Sequence, residues 1–187
     1  MGLLFWGYRM SANCAACPQT MRIIGRLPGC TSFSLSILEP GANINPHQGD
    51  TDAVIRCHMG LVVPAGLPDL GFQVGSEIRP WEEGKTLPFC DARTHTAWNQ
   101  TDARRYVVIL DIIRPEFAHR KLEICSHVLA SAAVQMIYPR FALLERKSGY
   151  VKKAIYHLAR IGIRGVLTVR NWKRPMNGYT SRVRIGS

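Results

Sequence analysis

The 187-residue chain has no apolar run of the roughly 18 residues needed to span a bilayer, so no membrane-spanning helix is read from it. The opening Met1-Gly2-Leu3-Leu4-Phe5-Trp6 is too short and uncharged for a secretory signal, and Trp6 stands where a myristoylation signal wants Ser or Thr. The cytoplasm is therefore the expected location. A second cysteine pair is also missing. Cys14-x-x-Cys17 alone makes no zinc site, and no thioredoxin-like βαβ pattern follows it, so the pair reads as structural. Four of the six cysteines lie within or beside apolar or strand-like runs, as small buried hydrophobes of a reducing compartment do. Acidic residues become scarce late in the chain. Residues 1–113 carry 9 Lys/Arg against 10 Asp/Glu, whereas residues 114–187 carry 15 against 3, a net +12. A tail of one sign fits an anionic surface such as membrane headgroups, nucleic acid or an acidic protein, the alternative being a solvated tail with no dedicated partner. The tail lacks aromatic stacking motifs, so no nucleic acid is expected.

What is present points to one compact domain with appended elements. Periodicity predicts a short helix over residues 13–26, capped by Asn13, with Pro18 in a first turn and Pro28-Gly29 at its end. Strands are expected over residues 31–38, with Ser34, Ser36 and Leu38 on one face, and over 54–63. In the latter, period-2 alternation places Arg56 and His58 together, opposite Cys57 and Met59. Further short strands are expected over 71–75, 77–79 and 85–89, and residues 105–113 are the most β-like run. Many short strands with Gly/Pro turns indicate a closed or two-sheet, mainly β architecture. A jelly roll is favoured because it hides sheet edges and leaves a cavity between the sheets. After Pro115 the pattern turns helical. A helix over 116–137 is expected on the barrel, broken by Pro139. A second, over 150–164, gathers Val151, Ala154, Ile155, Leu158 and Ile161 on one side and Lys152, Lys153, Arg160 and Arg164 on the other. Beyond Arg170 the chain is expected to fray. The division is a β domain with an N-terminal helix over 1–115 and a basic helical extension over 116–187.

Among the six histidines, His119, His127 and His157 read as structural. His47 and His95 are set among turn and strand residues that place them at a barrel mouth, where two imidazoles can converge on one metal. Non-haem iron oxygenases commonly add a carboxylate to two histidines, yet Gly49 stands at the usual position two residues after the first. Asp50 and Asp91 are the nearby carboxylates, and either can ligate or orient metal-bound water. Arg105 shares a strand face with Val107, Ile109 and Asp111. An inward arginine in an apolar wall calls for an anionic partner, either a ligand or an aspartate of the fold. With Arg56 and His58 it suits a dicarboxylate, because guanidinium groups pair with carboxylates two bonds at a time.

The segments Asn13-Cys14-x-x-Cys17-Pro18, Phe33-Ser34-x-x-x-Leu38-x-Pro40-Gly41, Pro46-His47-x-Gly49, Arg56-Cys57-His58-x-Gly60-Leu61, Trp81-Glu82-Glu83-Gly84-Lys85, Asp91, His95-x-x-Trp98-Asn99 and Arg105 carry a resemblance that runs to Arg114-Pro115. Together they resemble the aspartyl/asparaginyl β-hydroxylase family of iron(II)/2-oxoglutarate-dependent dioxygenases. The resemblance implies a double-stranded β-helix. It implies iron(II) held by two histidines only, matched by His47 and His95, with Asp91 close to the metal as a further catalytic residue. It implies 2-oxoglutarate bound by Ser36 and Arg105 at its distal carboxylate, and by Arg56 and His58 near its chelating end. The implied reaction hydroxylates an unactivated C–H bond and releases succinate and CO2.

Peptide hydroxylases of the family tend to carry another arginine two positions before Arg56. Here Val54 stands there, which removes a partner for an acidic substrate side chain. Cys90 replaces a common Asp, and the peptide-recognition repeats of animal members are not found in this sequence. The basic segment after Pro115 resembles the layout of lipid A hydroxylases, and such a helix can lie on an anionic leaflet at the inner face of the membrane. The expected substrate is a peptidyl or free amino acid, or a lipid A-type acyl chain. The rival reading is a non-catalytic jelly-roll scaffold with a membrane-surface basic tail; intact His47, His95 and Arg105 count against it.

Overall fold

Alternation of inward and outward side chains makes Arg105–Ile113 the strand on which the others assemble. A computed structural model describes residues 1–140 and 148–173. In chain order it contains β1 (Gly2–Phe5), β2 (Tyr8–Arg9), α1 (Ser11–Ala16), α2 (Pro18–Ile24), β3 (Cys30–Leu38), β4 (Asn43–His47), β5 (Val54–Val62), β6 (Leu70–Val74), β7 (Glu77–Arg79), β8 (Thr86–Phe89), β9 (His95–Asn99) and β10 (Arg105–Ile113). A 3-10 turn over Pro115–Arg120 leads into α3 (Lys121–Ile137), and α4 (Gly149–Lys173) follows. One sheet has the order β2-β1-β3-β10-β5-β8 and the other β4-β9-β6-β7. From β3 to β10 the chain changes sheet at every connection except the β6–β7 hairpin, and the paired strands are antiparallel. This is the expected double-stranded β-helix, a jelly roll.

The interior is built in layers across β5 and β10. Val107 lies opposite Gly60, Ile109 opposite His58, Asp111 opposite Arg56, and Ile113 opposite Val54. Glycine at 60 is required by close approach: a Cβ there would meet the Glu82 carbonyl oxygen at 2.4 Å. The segment after β7 can therefore press onto β5 and seat Trp81 in the core beside Phe72, Phe89 and Val107. Asn99, fully buried, ties the two sheets together. Its amide donates to the carbonyls of Leu38 (3.0 Å) and Ala103 (2.8 Å), and its oxygen accepts from the Thr101 hydroxyl at 2.7 Å.

The outermost layer is sealed by the helices. Val54 and Ile113 pack with Trp6, Cys125, Val128 and Leu167, so α3 and α4 close the barrel over that end of β5. Burial pushes the Cys30 thiol up to about 11 and Cys125 up to about 12, which keeps both as small protonated hydrophobes.

Three local expectations change. The helix over 13–26 is two helices, because proline at 18 disfavours helical geometry at Cys17, which has φ −125° and ψ 58°. Asn13 does not cap; its amide donates to the Gly2 carbonyl. The opening residues form a hairpin whose turn, Trp6-Gly7, has φ of 46° and 80°, as a two-residue reversal demands. The second C-terminal helix, expected over 150–164, runs from Gly149 to Lys173. Tyr156, Arg160, Ile163 and Leu167 turn toward α3 and the core, leaving Leu158 and Ile161 outward. The fraying expected beyond Arg170 concerns residues that, from 174 on, lie outside those described. Asn99→Ala, which leaves several buried polar groups unpartnered, should lower stability by about 2–3 kcal/mol in urea unfolding.

Candidate active site

His47 and His95 come from β4 and β9, the first two strands of the smaller sheet, where they stand opposite one another across the ladder. Their ring centroids are 4.2 Å apart. His47 is exposed, on an edge strand that is exposed throughout, while His95 is buried. Each ring is oriented by its own turn: His47 Nδ1 lies 2.9 Å from the Asn45 carbonyl and His95 Nδ1 lies 2.8 Å from the Arg93 carbonyl. A carbonyl can only accept, so both Nδ1 atoms carry the proton and both Nε2 atoms keep a free lone pair. Burial, reinforced by His47, holds the His95 pKa below its ordinary value and keeps the ring neutral.

A carboxylate stands beside this pair. Asp91, in the β8–β9 loop and buried, places Oδ1 3.6 Å from His95 Nε2. It occupies the space that a side chain at 49 would need: a Cβ on Gly49 would lie 1.7 Å from Asp91 Oδ2. The two loops are also joined by the Gly49 amide, which donates to the Asp91 carbonyl at 2.7 Å. Glycine at the position where a carboxylate ligand is usual is thus the socket for a carboxylate that arrives from elsewhere. Among the described residues no three His, Cys, Asp or Glu side chains gather as a metal-ligand set. Two Nε2 lone pairs on rings whose centres are 4.2 Å apart are of the donor type that divalent cations take from imidazole. Asp50 lies near enough to act on Arg56 and Asp91 through its charge.

Arg56 is fully engaged. Its Nε and Nη2 donate to Asp111 at 2.7 and 2.9 Å, and its Nη1 donates to Asp91 Oδ1 at 2.6 Å. Burial works against the charge, but the hydrogen bonds and charge of Asp111, then Asp91, raise its pKa. Burial likewise raises the Asp91 pKa, with Arg56 opposing it.

Arg105 is the opposite case. It is buried, its Nε and Nη1 find no hydrogen-bond partner among the described residues, and its guanidinium stacks 4.3 Å from the centre of the Trp81 ring. Burial alone lowers its pKa to about 10, so it stays charged and unneutralised. Ser36 faces Val107, the next inward position along β10, which makes it the diagonal neighbour of Arg105.

His58 packs against Phe72 and Phe89, with both ring centres 4.9 Å away. The Trp81 indole donates to its Nδ1 at 3.3 Å, so in the neutral ring the proton sits on Nε2 and can be donated. Burial, then the Arg105 and Arg56 cations, pushes its pKa down to about 3. Phe72, Trp81, Leu87 and Phe89 line a cavity of about 560 Å³ between the edge strands β7 and β8, with Arg79, Lys85 and Arg93 at its exposed margin. Phe89 and Phe72 also pack on His95, at 5.1 and 5.9 Å between ring centres.

The structure thus brings His47, His95 and Asp91 together, links Arg56 to Asp91, and gathers His58, Arg105 and Ser36 along the inward face of the larger sheet. Sequence reasoning missed two residues. Trp81 holds both Arg105 and His58; the sequence carried it only as one position of the Trp81-Glu82-Glu83-Gly84-Lys85 motif, with no role attached. Asp111 was weighed as a partner for an inward arginine, but the register gives it to Arg56. Two outcomes follow. Because a folded His58 resists protonation until about pH 3 while an unfolded one titrates near 6.5, stability present above pH 6.5 is lost as pH falls toward 3. Wild type should accordingly lose more stability between pH 7 and pH 5 than His58→Gln, measured by urea unfolding at each pH. Gly49→Ala, which must displace the Asp91 carboxylate, should weaken cobalt(II) binding about 10- to 100-fold. Gly66→Ala, where a methyl meets open space, should leave it unchanged.

Known proteins were then compared with the chain. An ornithine lipid ester-linked acyl 2-hydroxylase of Rhizobium tropici is 40% identical over 113 residues, covering 60% of this chain and 40% of that protein. The aspartate beta-hydroxylase domain-containing protein 2 of Mus musculus is 34% identical over 133 residues, 66% of this chain and 38% of its own length. The human aspartyl/asparaginyl beta-hydroxylase is 33% identical over 115 residues, 59% of this chain and 15% of its own length. The chain spans two fifths or less of the length of these relatives. The model of the aspartyl/asparaginyl beta-hydroxylase family matches residues 1–115, and the chain belongs to that family.

Proposed function

We propose that the chain is an iron(II)/2-oxoglutarate-dependent hydroxylase that acts on the acyl chain of a membrane lipid. The observation that carries the co-substrate is Arg105, a buried cation with orphaned donors, whose charge calls for a carboxylate. Trp81 stacks on one face of that guanidinium and fixes its plane. Ser36 adds a hydroxyl at the diagonal position, and neutral His58 offers its Nε2 proton to an anion without adding a second cation. His47 and His95 would hold iron(II) through Nε2, and Asp91, fixed by Arg56 and the Gly49 socket, would stand beside it as a hydrogen-bond acceptor. Iron(II) with 2-oxoglutarate, when bound, supplies oxidative decarboxylation: one oxygen atom goes to the substrate C–H bond, the other to succinate, and CO2 leaves. Phe72, Trp81 and Phe89 give the pocket an apolar wall, and Phe72 and Phe89 also pack on His58 and His95.

The substrate class rests on what the acidic-peptide reading would need. Every nitrogen of the Arg56 guanidinium already donates to Asp111 or Asp91. Position 54, where peptide hydroxylases of the family tend to carry an arginine, is a valine sealed beneath Trp6, Cys125, Val128 and Leu167. An acidic substrate side chain finds no free guanidinium in either layer. A relative that bears the name of a lipid acyl hydroxylase supports the same direction.

Anaerobic addition of iron(II) and then 2-oxoglutarate should give the weak visible charge-transfer band of the chelate. His47→Ala should abolish it, and Arg105→Ala should raise the 2-oxoglutarate concentration required about 100-fold while iron binding persists. Under air, succinate release should be stimulated by an acylated lipid and not by an aspartyl peptide. A folded protein without the band overturns the hydroxylase reading; stimulation by the peptide alone overturns the lipid.

A further inference from the structure

We propose that the outward face of α4 is a docking surface for an anionic lipid bilayer. Tyr150, Leu158 and Ile161 are 88%, 70% and 64% exposed, unusual for large apolar side chains on a helix whose other face is well packed. With Ala154 and Val169, also exposed, they recur every three or four residues or a multiple of that, and so form one stripe. From Tyr150 to Val169 the stripe runs about 29 Å along the helix. On the opposite side Leu167 is buried and Ile163 packs against the same core. The apolar stripe is therefore not the side that holds the helix to the protein.

The charges choose the partner. Gly149–Lys173 contains six Lys/Arg (Lys152, Lys153, Arg160, Arg164, Arg170 and Lys173) and no Asp or Glu. Lys153 and Arg164 lie along one border of the stripe. An apolar face with cations along one border and no acidic residue on its helix matches a surface that is apolar within and anionic at its boundary, which is a bilayer with acidic headgroups. A second copy of the chain would bring like charges together. Among the described residues no helix is long and apolar enough to cross a membrane, so α4 would lie in the plane of the interface.

The helix is presented rigidly. His127 on α3 lies 2.6 Å from the Tyr156 hydroxyl through Nδ1, and its Nε2 accepts from Arg160 Nη1 at 2.6 Å. Since Arg160 can only donate, Nε2 is unprotonated and the pair clamps the inner side of α4 to α3. Rotation that would bury Leu158 and Ile161 must break both bonds.

This inference adds a partner to the lipid-hydroxylase reading, but it rests on α4 alone and can fail or hold separately. The test is co-sedimentation of the full chain with phosphatidylcholine vesicles, and with vesicles in which about 30% of the lipid is phosphatidylglycerol. Partitioning should be about tenfold or more stronger onto the anionic vesicles. Leu158→Asp/Ile161→Asp should abolish it, and Lys153→Glu/Arg164→Glu should remove the preference for anionic lipid. All four side chains are at least partly outside the core, and an unchanged iron/2-oxoglutarate band in each variant would show the barrel intact. Vesicle binding unaffected by Leu158→Asp/Ile161→Asp overturns the proposal. So does a dimer in sedimentation velocity that the same variant dissolves. Lipid binding without the band would leave the docking face standing and sink the hydroxylase.

Discussion

The Arg56 guanidinium lies between two buried carboxylates, and the geometry of the His47–His95 centre depends on that placement. Asp111 fixes its Nε–Nη2 edge from the neighbouring strand, and Asp91 takes Nη1 from the loop that leads to His95. The three side chains carry a net charge of one negative. Each carboxylate would be expensive to bury alone, and the shared cation makes both tolerable. Through this contact the register of β5 on β10 sets the position of a loop in the other half of the molecule. That loop carries the carboxylate beside His95, and its backbone is held by Gly49 from the His47 side. His47, His95 and the acid beside them are therefore positioned by one electrostatic knot.

Arg105 shows the alternative treatment of the same residue type in the same barrel. Both guanidinium groups face inward on adjacent strands, yet one is neutralised by the protein and the other is not. The aromatic face of Trp81 softens the desolvation of Arg105 without cancelling its charge. An inward cation whose donors are all used belongs to the scaffold. One whose donors are left over among the described residues keeps an uncancelled charge inside the barrel.

Much of this could be read from the chain alone. Strict alternation marked β3, β5 and β10, and turn residues separated the shorter strands, because a half-buried strand leaves its period in the sequence. The two histidines and the inward arginines were legible through residue type and motif spacing. Which arginine was free was not legible. It depends on cross-strand register, which places Asp111 opposite Arg56, and register belongs to two distant segments at once. The role of Trp81 was hidden for a related reason: it is seated by the close approach of its segment to Gly60. For α4, periodicity identified an apolar stripe but could not say which side of the helix met α3. The hairpin at Trp6-Gly7 carried too short a pattern to announce itself.

The exposed strand β4 has a further consequence. It is an edge of its sheet and contributes His47, so it must stay uncovered for anything to reach that imidazole. An uncovered edge also invites a strand from another molecule to add itself by main-chain hydrogen bonding. Pro46, immediately before His47, lacks the amide proton that such an intruder would need, and its ring obstructs a regular ladder. The residue that keeps the approach to the imidazole open thus also guards the protein against pairing with its own kind.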